Sequence, residues 1–258
     1  MGIIIAVLLF SFIIIFHELG HFLLAKKNGI RVDEFSLGLG PTLLGKQIGE
    51  TKFSLKLLPF GGACMMGEDD ADDLSEGSFN SKSVWARMSV VAAGPIFNLI
   101  LACVFCFILI MITGYRSPEI TGVLDGYSAQ EEGLQAGDVI TEINGRNVHI
   151  WDDVSLYTMT HADEAPFKVE YERDGKKYTA KLEPRQLEGD AAPLLGVTSG
   201  DIVKPGIFKS VEYSIYKVKY WMNYTVDSLR MLVTGQAGLK DLSGPVGIVN
   251  AVDDMYQE

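Results

Sequence analysis

The chain has 258 residues, a formal net charge of −11 and a hydrophobic share of 48%. A mean hydropathy of +0.18 is high for a chain with 21% charged residues, which indicates that apolar and polar stretches alternate along it. Its 22 basic residues are scattered and outnumbered by 33 acidic ones, so the composition excludes a typical nucleic-acid-binding surface. Three cysteines are too few for a disulfide framework.

Two long apolar runs predict membrane-spanning helices, over about 2–25 and about 88–113. Each is long enough to cross a hydrocarbon core of about 30 Å. Basic residues follow the first run and precede the second, so we expect a cytoplasmic segment between them and both outer ends on the other side. The first run contains His and Glu and has no basic residue before it, which argues against a cleaved signal peptide.

The segment between the two runs has the pattern of a β-hairpin, over about 31–63. Apolar and polar residues alternate over 35–39 and again over 53–57, which is the period of a strand. Because a two-stranded hairpin is marginally stable alone, we expect it to rest on the membrane or on the neighbouring helices. The acidic run EDDADDLSE at 68–76 has the composition of a solvated loop.

Beyond Tyr115 the chain becomes polar and its predicted strands are short. Alternating residues over 167–171 and 178–182 flank Asp174-Gly175, which predicts a hairpin. Apolar residues then recur at intervals of three and four over about 206–234, predicting a long amphipathic helix. This helix could pack on the soluble domain, lie on the membrane or shield the active site. The predicted fold class is α+β: integral membrane helices with a membrane-associated hairpin, a soluble domain and an amphipathic helix.

The first apolar run contains the motif HELGH at 17–21. On a helix His17 and His21 share one face, so both imidazoles can bind one Zn²⁺ while Glu18 serves as general base. The alternative is that these are interface residues that reach toward water. Ionisable groups inside an apolar span are costly unless they line a polar cavity, however, and they mark functional sites. The motif therefore predicts a zinc centre in the membrane.

The second run brings two further candidates to a similar depth, Gly94 and Asn98. Asn98 either contacts substrate or packs the helices through a hydrogen bond, with Gly94 allowing their close approach. Catalytic zinc requires three protein ligands. The sequence offers no convincing third ligand, because Leu124-Asp125-Gly126 falls in the soluble region, on the opposite side of the membrane.

Four segments together resemble the site-2 protease family of intramembrane zinc metalloproteases, bacterial type. They are HELGH, the stretch FSLGLGPTLLGKQIGETKFSLKLLPFGG at 35–62, the stretch FNSKSVWARMSVVAAGPIFN at 79–98, and the region that follows the second run. The resemblance implies zinc ligands at His17 and His21 and a catalytic base at Glu18. It also implies a second-helix motif at Gly94 and Asn98, and a membrane-associated β segment near the active site at 31–63.

Residues 122–148, GVLDGYSAQEEGLQAGDVITEINGRNV, are similar to the PDZ core of these proteases. We therefore divide the chain into a membrane metalloprotease core at 1–114, a PDZ-like domain at 115–186, and a region at 187–258 with a linker strand and the amphipathic helix. A PDZ groove binds an extended segment or a protein tail by strand addition. The alternative is that the domain only excludes bulky substrates.

In the family, an Asp on a later membrane helix completes the zinc site. The segment LSGPVGI at 242–248 resembles the one that precedes that helix. We therefore expect this chain to be the N-terminal part of a longer protease, and to be inactive by itself.

These observations predict a zinc-dependent endopeptidase of the cell membrane that cuts transmembrane segments near the cytoplasmic face, with its PDZ-like domain outside. The strand that carries Phe53 and Leu55 would hold the substrate extended. The resemblance implies single-pass substrates such as anti-sigma factors or signal-peptide remnants. The alternative is an inactive membrane scaffold that binds protein tails through the PDZ-like domain. Metal analysis separates the two, because only the protease requires zinc.

Overall fold

The structure is a computed structural model that describes residues 2–67, 74–187 and 193–237. The chain divides into two compact units between Ala102 and Cys103. The predicted segment 242–248, and most of the acidic run at 68–76, lie outside the described residues.

The first unit contains helix α1 (Gly2–Lys27), strands β1 (Glu34–Ile48) and β2 (Thr51–Met65), and helix α2 (Val84–Thr113), which continues into the second unit. Both predicted helices are present and slightly longer than expected. Lys26 and Lys27 extend α1, where their charges favour the carbonyl end of the helix dipole. Helix α2 starts early because the Ser83 hydroxyl accepts the Ala86 N–H, a typical N-terminal cap.

Helices α1 and α2 are long and apolar enough to cross a membrane. In each helix only 17% of the most apolar stretch is buried within the protein, whereas the core helix of a soluble protein would be mostly buried. The exposed side chains are large and apolar, as lipid contact requires. Both helices are therefore candidate membrane spans.

The predicted hairpin forms, but each of its two strands contributes two paired segments, so the sheet has four segments side by side. Residues 34–37 of β1 lie between two parts of β2, so that Phe35 faces both Phe53 and Cys64. The later part of β1, residues 42–48, pairs with residues 51–56 across the turn at Gly49, whose φ is 62°. The segments therefore run in the order 62–65, 34–37, 51–56 and 42–48.

This sheet rests on α1, as the sequence led us to expect. The ring of Phe22 lies 5.3 Å from that of Phe35 and 5.7 Å from that of Phe53, measured between centroids. The Ser11 hydroxyl donates to the Pro59 carbonyl over 2.6 Å. A buried cluster joins the sheet to both helices, and its members include Ala25, Ile30, Val32, Phe35, Cys64, Met66 and Val90.

The second unit is a small mixed domain of short strands and helices, followed by one long helix. In chain order they are β3 (Tyr115–Arg116), β4 (Gly122–Val123), α3 (Ser128–Glu131), β5 (Val139–Ile143), β6 (Arg146–Asn147), α4 (Trp151–Thr160), a 3₁₀ turn (Ala162–Glu164), β7 (Phe167–Arg173), β8 (Lys176–Leu182), β9 (Val197–Thr198), β10 (Ile202–Val203) and α5 (Ile207–Val233). Strands β6, β5, β7 and β8 form one sheet in that order. The predicted hairpin is β7 and β8, closed at Asp174 and Gly175, whose φ values are both positive, as a type I′ turn requires.

The boundary that the sequence placed at residue 186 falls inside this folded unit. Strand β9 pairs with β4, and β10 pairs with β3. Leu195 is buried in the same core as Ile140 and Phe167. Residues 193–203 are thus part of the domain and not a linker. Two-residue strands leave no periodic signal in a sequence, which is why the prediction ended the domain too early.

Helix α5 is fastened to the second unit by ion pairs, which selects one of the three placements left open by the sequence. The Asp227 side chain is only 3% exposed and accepts two hydrogen bonds from Arg146, at 2.6 and 3.0 Å. This hydrogen bonding raises the pKa of Arg146, against the opposing effect of its burial. Lys217 pairs with Asp152 at 2.9 Å, and Arg230 pairs with Asp163 and Glu164, so ion pairs along its length join α5 to the rest of this unit.

We expect Asp227→Asn to weaken the attachment of α5 far more than Asp152→Asn. The variant loses two hydrogen bonds between charged groups at a carboxylate that is 3% exposed, which costs about 3 kcal/mol, or roughly a 100-fold increase in the opening of α5 measured by hydrogen exchange of its amides. Asp152 is 35% exposed, so its replacement costs about 1 kcal/mol or less. Equal exchange rates for α5 in the two variants would contradict this assignment.

Candidate metal centre

The HELGH motif lies inside α1, about two turns before its end. The imidazole centroids of His17 and His21 are 4.8 Å apart, and their ring planes are at 78°. Both rings are partly exposed, so neither is sealed in the core. The two side chains therefore lie side by side on one face of the helix, as the spacing of four residues predicts.

Helix α2 crosses α1 at very short range beside this motif. A Cβ added to Gly20 would lie 2.6 Å from the Ala93 carbonyl oxygen and 2.9 Å from the Phe97 ring. No side chain fits in that space, so a glycine at position 20 is what brings the two backbones together. Small residues have this role at many helix contacts in membranes.

The missing side chain of Gly94 leaves a small space between the imidazoles of His17 and His21, which we call the cradle. A Cβ at Gly94 would clash with Nε2 of both His17 and His21, and it would lie 2.5 Å from that of His17. Both Nε2 atoms thus face one small space on α2. A donor pair converging on one point is what a shared metal ion requires, and imidazole nitrogen is a preferred zinc ligand. The residues present therefore fit zinc as two of its ligands.

The other nitrogen of each ring, Nδ1, is held by α2. His21 Nδ1 lies 2.7 Å from the Val90 carbonyl oxygen. Because a carbonyl can only accept, Nδ1 of His21 donates to it, and in the neutral tautomer Nε2 then has the lone pair that faces the cradle. His17 Nδ1 lies 3.2 Å from the side-chain amide of Asn98. Partners of this kind fix the orientation of metal-binding histidines.

Glu18 points to the hairpin sheet. One carboxylate oxygen, Oε2, accepts the backbone N–H of Cys64 over 3.0 Å. A Cβ added to the neighbouring Gly62 would come within 3.6 Å of the Glu18 side chain, so the strand runs close by. This contact holds the carboxylate of Glu18, the residue that follows His17, against the sheet.

The structure brings together five of the seven residues that the sequence selected. His17, His21, Gly94 and Asn98 meet at the contact of α1 with α2, and Glu18, next to His17 on α1, bonds to the sheet. Sequence reasoning missed the Val90 carbonyl and the Cys64 N–H. Backbone groups carry no residue-type signal, so only the register of α2 and of the sheet reveals them.

Phe53 and Leu55 occupy a different position from the one expected. They lie on an inner segment of the sheet, with residues 34–37 on one side and 42–48 on the other. Strand addition requires a backbone edge that is free, and this segment has none. The sheet segment beside Glu18 is 62–65. A role for Phe53 and Leu55 in positioning substrate stays a prediction, but it cannot act through a strand edge at these residues.

No group of three His, Cys, Asp or Glu side chains that could hold a metal occurs in the described parts of the chain. Asp125, which the sequence led us to reject as a ligand, accepts a hydrogen bond from Gln130 over 2.6 Å within the second unit. His149 stacks on Tyr216 at 3.9 Å, and His161 stacks on Tyr157 at 4.3 Å. The cradle at Gly94 is therefore the candidate metal centre.

Known proteins are similar to this chain over nearly its whole length. The sequence profile of Peptidase family M50 matches residues 5–258. A putative zinc metalloprotease from Clostridium acetobutylicum is 38% identical over 248 residues, which cover 96% of this chain and 73% of that protein. The regulator of sigma-W protease RasP from Bacillus subtilis is 28% identical, with coverage of 96% and 79%.

Among solved structures, the PDZ domain of an SdrC-like protein from Listeria monocytogenes matches 34% of this chain and 87% of its own. The two are 24% identical in sequence and their TM-score is 0.27, a value too low to define a shared fold.

We expect Gly94→Ala to abolish metal binding, because the added methyl group would occupy the space between the two Nε2 atoms. The measurement is bound zinc per chain after dialysis, with a loss of at least about 100-fold in affinity. Val91→Leu is the matched control, since Val91 is 61% exposed on the same helix and its replacement adds volume outside the contact. Zinc binding by Gly94→Ala at the level of the control would contradict the cradle.

Proposed function

Since the chain belongs to Peptidase family M50, the site-2 proteases of the RseP/RasP type, we propose that it is a zinc-dependent endopeptidase that cleaves transmembrane segments of other proteins within the bilayer. One observation carries this proposal. Two imidazole Nε2 atoms converge on the cradle at Gly94, inside a candidate membrane span, with the Glu18 carboxylate fixed beside them.

Each residue of this site has a separate role in the proposed hydrolysis of the peptide bond. His17 and His21 would hold the metal through Nε2. Zinc bound there would supply Lewis acidity, which acidifies water and polarises a carbonyl group. Glu18 takes the proton from the water through its free oxygen and passes it to the leaving amine. The Cys64 N–H keeps the other carboxylate oxygen in place during both transfers.

A third zinc ligand is required for catalysis, and we place it outside the described residues. The support is that His17 and His21 have no third donor beside them in the part of the chain that the structure describes. The segment at 242–248, which by resemblance precedes the helix that carries this ligand, lies in the undescribed part.

The substrate must be extended before it can be cut, because the peptide bonds of a helix are shielded by their own hydrogen bonds. Residues 62–65 are the sheet segment nearest the catalytic carboxylate, through the contact of Cys64 with Glu18. We assign the alignment of the unwound substrate to this segment. Single-pass membrane proteins, such as anti-sigma factors or signal-peptide remnants, are the proposed substrates. The site would then lie near the cytoplasmic face of the cell membrane, with the second unit outside.

A second candidate function rests on an apolar cleft in the second unit. Helix α4 and residues 193–197 enclose about 400 Å³, with Trp151, Val154 and Met159 on the helix side. We propose this cleft as the PDZ-like groove, with the tail of a protein as its ligand. In the scaffold alternative this binding is the whole function, and His17 and His21 bind no zinc.

In the full-length protease we expect Glu18→Gln to bind zinc with unchanged stoichiometry and to lose cleavage of a model transmembrane substrate by on the order of 10³-fold, because the amide cannot accept the proton. Glu50→Gln is the control, since Glu50 is an exposed residue of the same unit paired with Lys26. Full activity in Glu18→Gln would contradict the mechanism. Absence of zinc in the unmodified protein would favour the scaffold.

We expect Met159→Glu to block peptide binding at the cleft without affecting zinc. Met159 is 60% exposed, so a charge there places an unfavourable group in the groove at little cost to folding. Fluorescence anisotropy of a labelled peptide with an apolar C-terminus measures the loss, expected to exceed about tenfold. Tyr178→Glu, at a residue that is 42% exposed on β8 and away from the cleft, is the control. Equal affinities would show that the cleft is not the peptide site.

A further inference from the structure

Asn98 is the only strongly polar side chain of α2 that faces the metal site among the described residues, and its surroundings define its role. Its amide nitrogen is placed 3.2 Å from His17 Nδ1. Its amide oxygen is buried and has no partner in the described part of the chain. The side chain thus makes one specific contact, and that contact is with a proposed metal ligand.

The orientation of this amide determines which nitrogen of His17 carries the proton. If the NH₂ group faces Nδ1, it must donate, so Nδ1 has the lone pair and the proton of the neutral ring is on Nε2. Nε2 is the atom that faces the cradle at Gly94. A protonated Nε2 cannot bind a metal ion, so this orientation opposes the function of the site.

Rotating the amide by half a turn exchanges its oxygen and nitrogen at nearly identical positions. The two atoms are scarcely distinguishable by shape, and their assignment follows from the hydrogen bonds they make. After rotation Oδ1 accepts the Nδ1–H of His17, and Nε2 has its lone pair toward the cradle. In the first orientation the buried Oδ1 has no hydrogen-bond partner among the described residues, so the rotation breaks no other hydrogen bond of this oxygen, and the contact with His17 decides between the two orientations.

His21 already shows the arrangement that this rotation gives to His17. Its Nδ1 faces the Val90 carbonyl, an oxygen that can only accept. Val90, Gly94 and Asn98 are spaced by four residues, so they lie along one face of α2. That face would therefore present an acceptor, an open space and a second acceptor to the two imidazoles.

We propose that Asn98 is a positioning residue for the metal site: its side-chain oxygen accepts a hydrogen bond from Nδ1 of His17 and thereby keeps Nε2 free for the metal. This inference rests on the proposed function, since it assigns a role toward bound zinc. It gives a direction to the hydrogen bond between the helices that the sequence suggested for this residue, and it is the alternative to a substrate contact. The proposal predicts that the side chain at position 98 must accept a hydrogen bond from His17 and does not need to donate one.

The first test reads the tautomer of His17 directly. The chain contains four histidines, so selective ¹⁵N-histidine labelling of the metal-free protein in detergent gives few signals. At about pH 8, where an ordinary imidazole is neutral, we expect the His17 signals to show a protonated Nδ1 and an unprotonated Nε2. The His17→Gln variant assigns the signals. A proton on Nε2 of His17 in the unmodified protein would overturn the proposal.

The second test compares zinc affinity by chelator competition in variants of position 98. Asn98→Asp retains an acceptor of the same shape, and we expect its affinity to stay within about threefold of the original. Asn98→Leu removes the acceptor, and we expect a loss of about 10–100-fold. Equal losses in both variants would show that Asn98 acts as a donor. No loss in Asn98→Leu would show that it does not position His17 at all.

Asn28→Leu is the matched control for helix packing. The Asn28 amide also bridges α1 and α2, donating to the Leu24 carbonyl and to Ser89 Oγ at 2.8 and 3.1 Å. It lies 11 residues from His17 in sequence, so we expect its loss to leave zinc affinity and the His17 tautomer unchanged. Failure of the unmodified protein to bind zinc would refute the proposed function, whereas the tautomer measurement reports on Asn98 independently of metal.

Discussion

The metal site depends on the close contact between α1 and α2. Gly20 and Gly94 have no side chain where the helices meet, and a methyl group at either would collide with backbone or with the imidazoles. Only at this separation can α2 reach Nδ1 of both histidines, through the Val90 carbonyl and the Asn98 amide. In an apolar environment such contacts are dominated by packing, so small residues determine where two helices meet.

Helix α1 holds the elements of the site together because its neighbouring residues face different directions. The two histidines face α2, whereas Glu18, about 100° further around the helix, reaches the Cys64 N–H of the hairpin sheet. The sheet is itself fixed to α1 through Phe22 and Ser11. The proposed metal ligands are therefore held by α2, and the proposed base is held by the sheet. Each can be oriented without constraining the other.

The second unit is held together by different forces. Its core is a compact apolar cluster, and α5 is attached to it by ion pairs, in one of which the Asp227 carboxylate is buried and pairs with Arg146. Loss of Arg146 would be costly, because the Asp227 carboxylate would then stay buried without a charged partner at hydrogen-bond distance. This attachment gives α5 a defined position beside the domain, and leaves the apolar cleft along α4 as a separate surface suited to a peptide.

The sequence by itself determined the two apolar helices, the hairpins, the amphipathic helix and the HELGH motif. These features depend on the period and spacing of nearby residues, and such patterns are local. Tertiary structure alone decided the rest: the cradle at Gly94, the contact of Asn98 with His17, the bond from Cys64 to Glu18, and the inner position of Phe53 and Leu55. It also decided that residues 193–203 complete the second unit. Each of these features depends on the pairing of segments that are distant in sequence, or on the position of a backbone group. Residue type and local spacing encode neither the pairing nor the position.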